Sequence, residues 1–438
     1  MYYFIFAAFV LDVAFGSHFR GGTISWRYNG RDNQVEFKFR LSWAIGSTGC
    51  STGTIGNLTT RAGGSWNAID INQNTVISVS DVNYICSAVN ANERWEIGER
   101  KFTYNFTTKG PYQVSFQGGA WISLDYGVGG GSWNVETTVY LNERSDTRNP
   151  NNSPETSSRA MYRMQFGCSI SVRIPLVDTD GDIVRCRWAT PQEAASIAGL
   201  LPNATLDETN CTITFLATAN NSYSSSGWFA VALTIEDFPR NNIAINGRVY
   251  TPSTALSQVP LQFLITLQNM SGSCNEKPTF IPSSPVEGSV IILNSSETLN
   301  IRYYVHSPAG LISIDINGLT GLSKSSINPD DQGRMNVSFV DVSWTVPESS
   351  QTAIICATAE DINGKLSDTQ CFTVLTLQEF CYDNLCAYKE TKSPLESTNA
   401  VCTECFIAML LICVPCVAII YLCIRKNKVK PELNSHQP

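Results

Sequence analysis

Val35-Glu36-Phe37-Lys38-Phe39 places an apolar side chain at every second residue, the period of a strand with one buried and one solvated face. Gln113-Val114-Ser115-Phe116 and Thr137-Thr138-Val139-Tyr140 are further short runs rich in β-branched and aromatic residues. Turn clusters separate such runs about every ten residues, which is the pattern of β-sandwiches. One helix of one to three turns is expected besides. Thr190-Pro191-Gln192-Glu193 joins a capping box to a proline at the first helical position, and Gly199 can end what it starts.

Polar, proline-bearing stretches divide the chain. Arg148-Asn149-Pro150-Asn151-Asn152-Ser153-Pro154 and Ser271-Gly272-Ser273-Cys274 are the two inner boundaries. The expected plan is a leader at 1–16, sandwich modules at 17–148, 149–272 and 273–377, a stalk at 378–404, a membrane span at 405–424 and a tail at 425–438. The leader rests on the apolar run Met1 to Leu11 and the small residues Ala14 and Gly16 before the cleavage point. Phe406 to Ile424 is free of charge, and Arg425, Lys426, Lys428 and Lys430 follow at once. A run of that length crosses a bilayer core, and cations behind it make a type I topology, with the N-terminus outside the plasma membrane.

The 438 residues carry a net charge of −8 with 16% charged residues, which speaks against nucleic acid as a partner. Histidine occurs only at His18, His306 and His436, so His-dependent catalysis and multi-His metal sites have little to draw on. G-x-S-x-G, H-E-x-x-H and Cys-His signatures are missing. The expectation is therefore a protein that is not an enzyme; an acid pair for glycoside hydrolysis is the one catalytic arrangement that sequence spacing leaves open.

Sequons for N-linked glycans stand at Asn57, Asn105, Asn151, Asn203, Asn210, Asn220, Asn269, Asn294 and Asn336, all between the two terminal apolar segments. Apart from Cys402 and Cys405 at the outer edge of the membrane span, ten cysteines share that region, an even number suited to disulfides in an oxidising compartment. Cys356 and Cys371 lie equally far from Asn363-Gly364, so a two-residue hairpin turn would set them opposite one another within bonding range. Cys381 with Cys386 would close a small loop, Cys50 with Cys86 would staple the first module, and Cys186 with Cys211 the second. Cys168 and Cys274 remain and pair by elimination.

Gly63-Gly64-Ser65-Trp66-Asn67 recurs as Gly130-Gly131-Ser132-Trp133-Asn134, and more loosely as Gly118-Gly119-Ala120-Trp121. Such a loop either presents its tryptophan to a sugar or protein or tucks it into the sandwich; the second reading is preferred because large aromatics usually find cover.

Leu176-Val177-Asp178-Thr179-Asp180-Gly181-Asp182-Ile183-Val184, with Leu200-Leu201-Pro202-Asn203-Ala204-Thr205-Leu206 and the strand Cys211 to Phe215, resembles the cadherin-like and immunoglobulin-like modules of surface proteins. Ile355-Cys356-Ala357-Thr358-Ala359-Glu360-Asp361-Ile362-Asn363-Gly364 and Cys371-Phe372-Thr373-Val374 resemble the last hairpin of a hyalin-repeat (HYR) or related Ig-like module. Ser17-His18-Phe19-Arg20-Gly21-Gly22-Thr23-Ile24-Ser25-Trp26 and Arg185-Cys186-Arg187-Trp188-Ala189 are similar to a group of animal surface glycoproteins. The resemblance implies an all-β chain of tandem Ig-like and cadherin-like sandwiches.

The D-x-D-G-D turn supplies three hard carboxylates, Asp178, Asp180 and Asp182, and Glu236-Asp237 resembles the acidic pair of cadherin-type modules. Calcium is the cofactor this suggests. The other reading, a common Asp-Gly turn with solvated carboxylates, is preferred. Function is expected in extracellular recognition or adhesion, toward a protein or glycan ligand or a second copy of the chain. The alternative is a receptor or co-receptor signalling through an associated chain, since the tail offers no tyrosine.

Overall fold

The computed structural model describes residues 19–377 except 60–62, 82, 92, 120, 127–130, 200, 295, 318–320 and 347–351. The leader, stalk, membrane span and tail, and the Cys381–Cys386 pair, lie outside the described residues. Among the described residues no helix is long and apolar enough to cross a membrane.

The chain is mostly strand, arranged in several sheets. The alternation at 35–39 is realised in strand Gln34–Ala44, whose Val35, Phe37, Phe39 and Leu41 are fully covered. The first two modules are not separate sandwiches, as the boundary at 148/149 implied. An eight-stranded sheet runs through both: strand Phe19–Tyr28 pairs on one edge with Gln34–Ala44 and on the other with Gln258–Gln268. Two cores form on its opposite faces. In Trp228–Phe238, Ala230 and Ala232 belong to one core, while Phe229, Val231, Leu233 and Ile235 belong to the other. A four-stranded sheet containing Ser65–Asp70, Tyr112–Gly119 and Ser132–Val139 contributes the other side of the first core. The three-stranded sheet containing Ser169–Arg173 and Thr212–Leu216 does the same for the second. The sharing of one sheet by two cores follows from strand alternation, because residues i and i+1 face opposite layers.

Gly21 and Gly22 make the shared sheet possible. A Cβ on Gly21 would lie 2.0 Å from the Gln262 carbonyl oxygen, and Gly21 sits at φ +116, a region that side-chain-bearing residues avoid. The register shifts there between Phe19 and Gly21, a bulge that bends the strand while it stays paired with Gln34–Ala44.

The tryptophans of the glycine-rich cassettes, Trp66, Trp121 and Trp133, are tucked into the first core. Phe19 packs between Trp43, Trp121 and Trp133, with ring centroids 4.7–5.0 Å away. The helix is one turn, Pro191–Ala194, with both halves of the capping box formed, and a 3-10 turn Ala195–Ile197 continues it.

The third module is a sandwich of two sheets around Tyr303, Val305, Val342, Trp344, Ile355 and Phe372. Four disulfides join the expected partners: Cys50–Cys86, Cys168–Cys274, Cys186–Cys211 and Cys356–Cys371. Cys356 and Cys371 are paired in register. The turn differs from expectation, however. The Gly364 amide donates to the Asp361 carbonyl and the Asp361 amide to the Lys365 carbonyl, so three residues form the loop. A one-residue irregularity between the Ala359–Ser367 bond and the Ala357–Gln370 pair restores the symmetric register.

Candidate metal centre

Asp178 opens the turn between the strands Leu176–Val177 and Ile183–Trp188, and its Oδ1 accepts the Asp180 and Asp182 amides, both at 2.9 Å. Gly181 takes φ +79 to complete the turn. This local chemistry aims the Asp178 and Asp182 carboxylates toward strand Trp228–Phe238, where Asp237 is fully buried. Oxygens of Asp178, Asp182 and Asp237 all lie within 4.8 Å of one another. Two oxygens bound to one calcium ion at 2.3–2.6 Å are separated by no more than about 5 Å, so these three fit its first coordination shell.

Asp237 Oδ1 accepts the Ser257 amide and hydroxyl, and Oδ2 accepts from Asn151 Nδ2 at 2.6 Å. Asp178 Oδ2 is sealed from solvent and has no hydrogen-bond partner. Burial raises the Asp178 carboxyl well above the usual range, and the Asp237 and Asp180 carboxylates push it further. Burial likewise pushes Asp237 up to about 7, against the Asn151 and Ser257 hydrogen bonds and with the help of Asp182. The pair is thus held close at the expense of repulsion that a proton or a cation relieves.

One positive charge is built in. Arg144 is 1% exposed, donates through Nη2 to Asp182 Oδ1 and to Asp146 Oδ2, each at 2.9 Å, and through Nη1 to Asp182 Oδ2 and Asn151 Oδ1. Asp180 lies 3.5 Å from the same guanidinium and accepts two bonds from Asn152. Arg144, Asp146, Asn151 and Asn152 all come from the connection between the first two modules, so the cluster fastens that connection to the second.

The structure redistributes the expected residues. Asp178, Asp182 and Asp237 converge; Asp180 sits beside them, engaged by Asn152. Glu236 does not join. Being next to Asp237 on a strand, it faces the other way and pairs with Arg187 at 3.0 Å. The carboxylates are not solvated as the plain turn required. Asn151 is corrected as a glycan acceptor: its side chain is buried and its amide donates to Asp237 and to the Asn152 carbonyl, leaving no room for a sugar in the fold. The other eight sequon asparagines are exposed. Arg144 carries no local sequence signal of its role.

Residues 20–142 match the family described as Integrin beta-like protein A-E, N-terminal. Integrin beta-like protein A of Dictyostelium discoideum is 25% identical over 235 residues, 51% of this chain and 12% of that protein. The match therefore spans a small part of that relative's length, and the similarity is not confined to animal proteins. Among solved structures, the fibronectin(III)-like modules of Clostridium thermocellum CbhA align with 13% identity and a TM-score of 0.18, over 54% of this chain and 100% of that one. A titin tandem, A168169, aligns with 9% identity and a TM-score of 0.17, over 52% and 100%. Superpositions this loose leave the fold to be read from the strands themselves.

Proposed function

We propose that this chain is a single-pass type I cell-surface glycoprotein that acts in extracellular recognition or adhesion, without catalytic activity. The observation that carries the reading is the sequence match of the first module to the N-terminal region of integrin beta-like proteins, on a β-sandwich framework stapled by disulfides. A rigid framework lets exposed loops make contacts without ordering costs at each encounter. Calcium belongs to the same reading. Held by Asp178, Asp182 and Asp237, it would neutralise the buried carboxylates and lock the connection carrying Arg144 and Asn151 to the second module.

The test displays the full chain on suspension cells and scores their aggregation, and their attachment to untransfected cells, in calcium and in EDTA. Surface delivery is verified by biotinylation and glycosidase-sensitive migration. Clustering or attachment above the vector control is the expected result. Surface-delivered chain that supports neither overturns the adhesion reading, and contacts equal in EDTA overturn the part assigned to calcium.

A further inference from the structure

Among the described residues, the buried arginines have carboxylate partners except Arg20, and the buried Lys365 ammonium is taken by the Ser273 carbonyl. Arg144 holds Asp182, Arg159 lies 3.1 Å from Glu93, and Arg163 pairs with Glu360. Arg20, 5% exposed, has no carboxylate within 4 Å among the described residues. Its Nη1 meets only the Met161 sulfur at 3.6 Å, its guanidinium lies 4.9 Å from the Trp228 ring centre, and its Nε has no partner. Burial, and then the nearby charge of Arg94, lower its pKa to about 10, with Glu93 opposing, so it stays charged at neutral pH. An unpaired buried cation is costly, and a site that keeps one is prepared for an anion.

Arg20 lines a cleft of about 380 Å³, the size of a small-ligand site, where the first module meets the second. Arg94 is exposed at its edge, Ile45 and Ile122 give it an apolar wall, and Thr266 and Gln268 give it polar groups. Glu93 also lines it. Glu93 Oε2 is taken by Trp95 and Arg159, but the buried Oε1 makes no hydrogen bond and lies 3.8 Å from Arg163. One cleft therefore contains an unpaired donor on a cation and an unpaired acceptor on an anion. A ligand bearing both a carboxylate and hydroxyl groups satisfies the two together; an acidic peptide side chain brings the carboxylate without the hydroxyls.

We propose that the cleft around Arg20, Arg94 and Trp228 binds an acidic monosaccharide unit, its carboxylate on the Arg20 guanidinium and a hydroxyl on Glu93 Oε1. The proposal deepens the recognition reading above and rests on it for its biological sense, naming a carboxylated glycan as the ligand class. Carboxylate on guanidinium is a charge-assisted, fork-shaped contact, so a neutral sugar lacks the main anchor.

The test is saturation-transfer NMR and calorimetry on the full chain purified in detergent, with glucuronate as the probe, glucose as the neutral control and N-acetylglutamate amide as the peptide-type carboxylate. Glucuronate should bind, glucose at least about tenfold more weakly. Arg20→Met, which removes an unpaired buried charge and leaves the volume, should melt no lower than the parent and bind glucuronate at least about tenfold more weakly; Arg94→Gln, at the exposed edge, gives the same direction should Arg20→Met misfold. Glucuronate that fails to bind at 10 mM (about the weakest affinity of interest,), or binds both variants as well as the parent, overturns the proposal. Preference for N-acetylglutamate amide overturns the sugar assignment. Because free sugar is the probe, failure here leaves cell attachment untouched, and failure of attachment with intact glucuronate binding overturns only the adhesion reading.

Discussion

Asp178 concentrates the electrostatic tension of the second module, since its Oδ2 is buried, unpartnered and close to Asp237 and Asp182. Asp178→Asn keeps an Oδ1 for the Asp180 and Asp182 amides while replacing the repelling oxygen with a donor. In EDTA this variant should melt about 2 °C higher than the parent, the shift that about 1 kcal/mol gives in a cooperative unit of about 250 residues, the size of the two modules that share one sheet. Calcium at about 100 times its Kd should add about 2.7 kcal/mol to the parent and nothing comparable to the variant. Equal calcium shifts in the two proteins would refute the centre. Gly21 is the second residue on which much depends. With a Cβ 2.0 Å from a carbonyl oxygen, Gly21→Ala should cost more than about 3 kcal/mol or abolish folding. Gly30→Ala, also at positive φ but with nothing within 4 Å, should cost only about 1 kcal/mol in the same thermal melts.

At the scale of elements, the single helical turn Pro191–Ala194 depends on Glu193 more than on its own hydrogen bonds. Burial by itself would push the Glu193 carboxyl up, but the Arg187 fork and the Thr190 amide and hydroxyl bring it down to about 2. A carboxyl depressed in the fold contributes stability above its unfolded pKa of about 4.3, and that contribution is lost as pH falls towards 2. Glu193→Gln should therefore be less stable than the parent at pH 6 by about 1–2 kcal/mol, allowing for partial exposure. The gap should close between pH 4 and pH 2 (the window set by the two pKa values,); a gap independent of pH would assign the effect to packing.

Across the whole molecule, one buried carboxylate ties three modules together. Glu93 of the first is 3.1 Å from Arg159 of the second, which in turn lies 3.5 Å from Asp315 of the third, while Arg163 joins Glu93 to Glu360. The Cys168–Cys274 bond and the Lys365 Nζ bond to the Ser273 carbonyl fix the connection beside them. Combining Asp315→Asn with Glu360→Gln removes the two third-module carboxylates that meet Arg159 and Arg163 and leaves Glu93 paired. Limited proteolysis should then cut the connection at 269–278 about tenfold faster, the change that about 1.4 kcal/mol of lost docking gives. Unchanged cleavage would assign the rigidity to the disulfide alone.

How far these features could be read from the chain follows from how local each is. Strand alternation at 35–39, the capping box at Thr190 and Glu193, and the tucked tryptophans depend on neighbours in sequence, and they were legible. Of the four described disulfides, Cys356–Cys371 was legible from hairpin symmetry, whereas the other three rested on nearness in sequence and on elimination. The D-x-D-G-D turn announced three acids, but sequence could not tell which would face Asp237, nor that Asn151 would be spent on it instead of on a glycan. Register, set by long-range pairing, decided that. The chain by itself determined an all-β framework with cysteines suited to disulfides, because strand period is a property of short stretches and an even cysteine count needs no fold to be read. Only the tertiary structure decided that two modules share one sheet through Gly21, that Arg144 is caged by acids and that Arg20 is left without one, because those depend on residues that only folding brings together: Gly22 pairs with Gln262, Arg144 reaches Asp182 and Arg20 meets Met161.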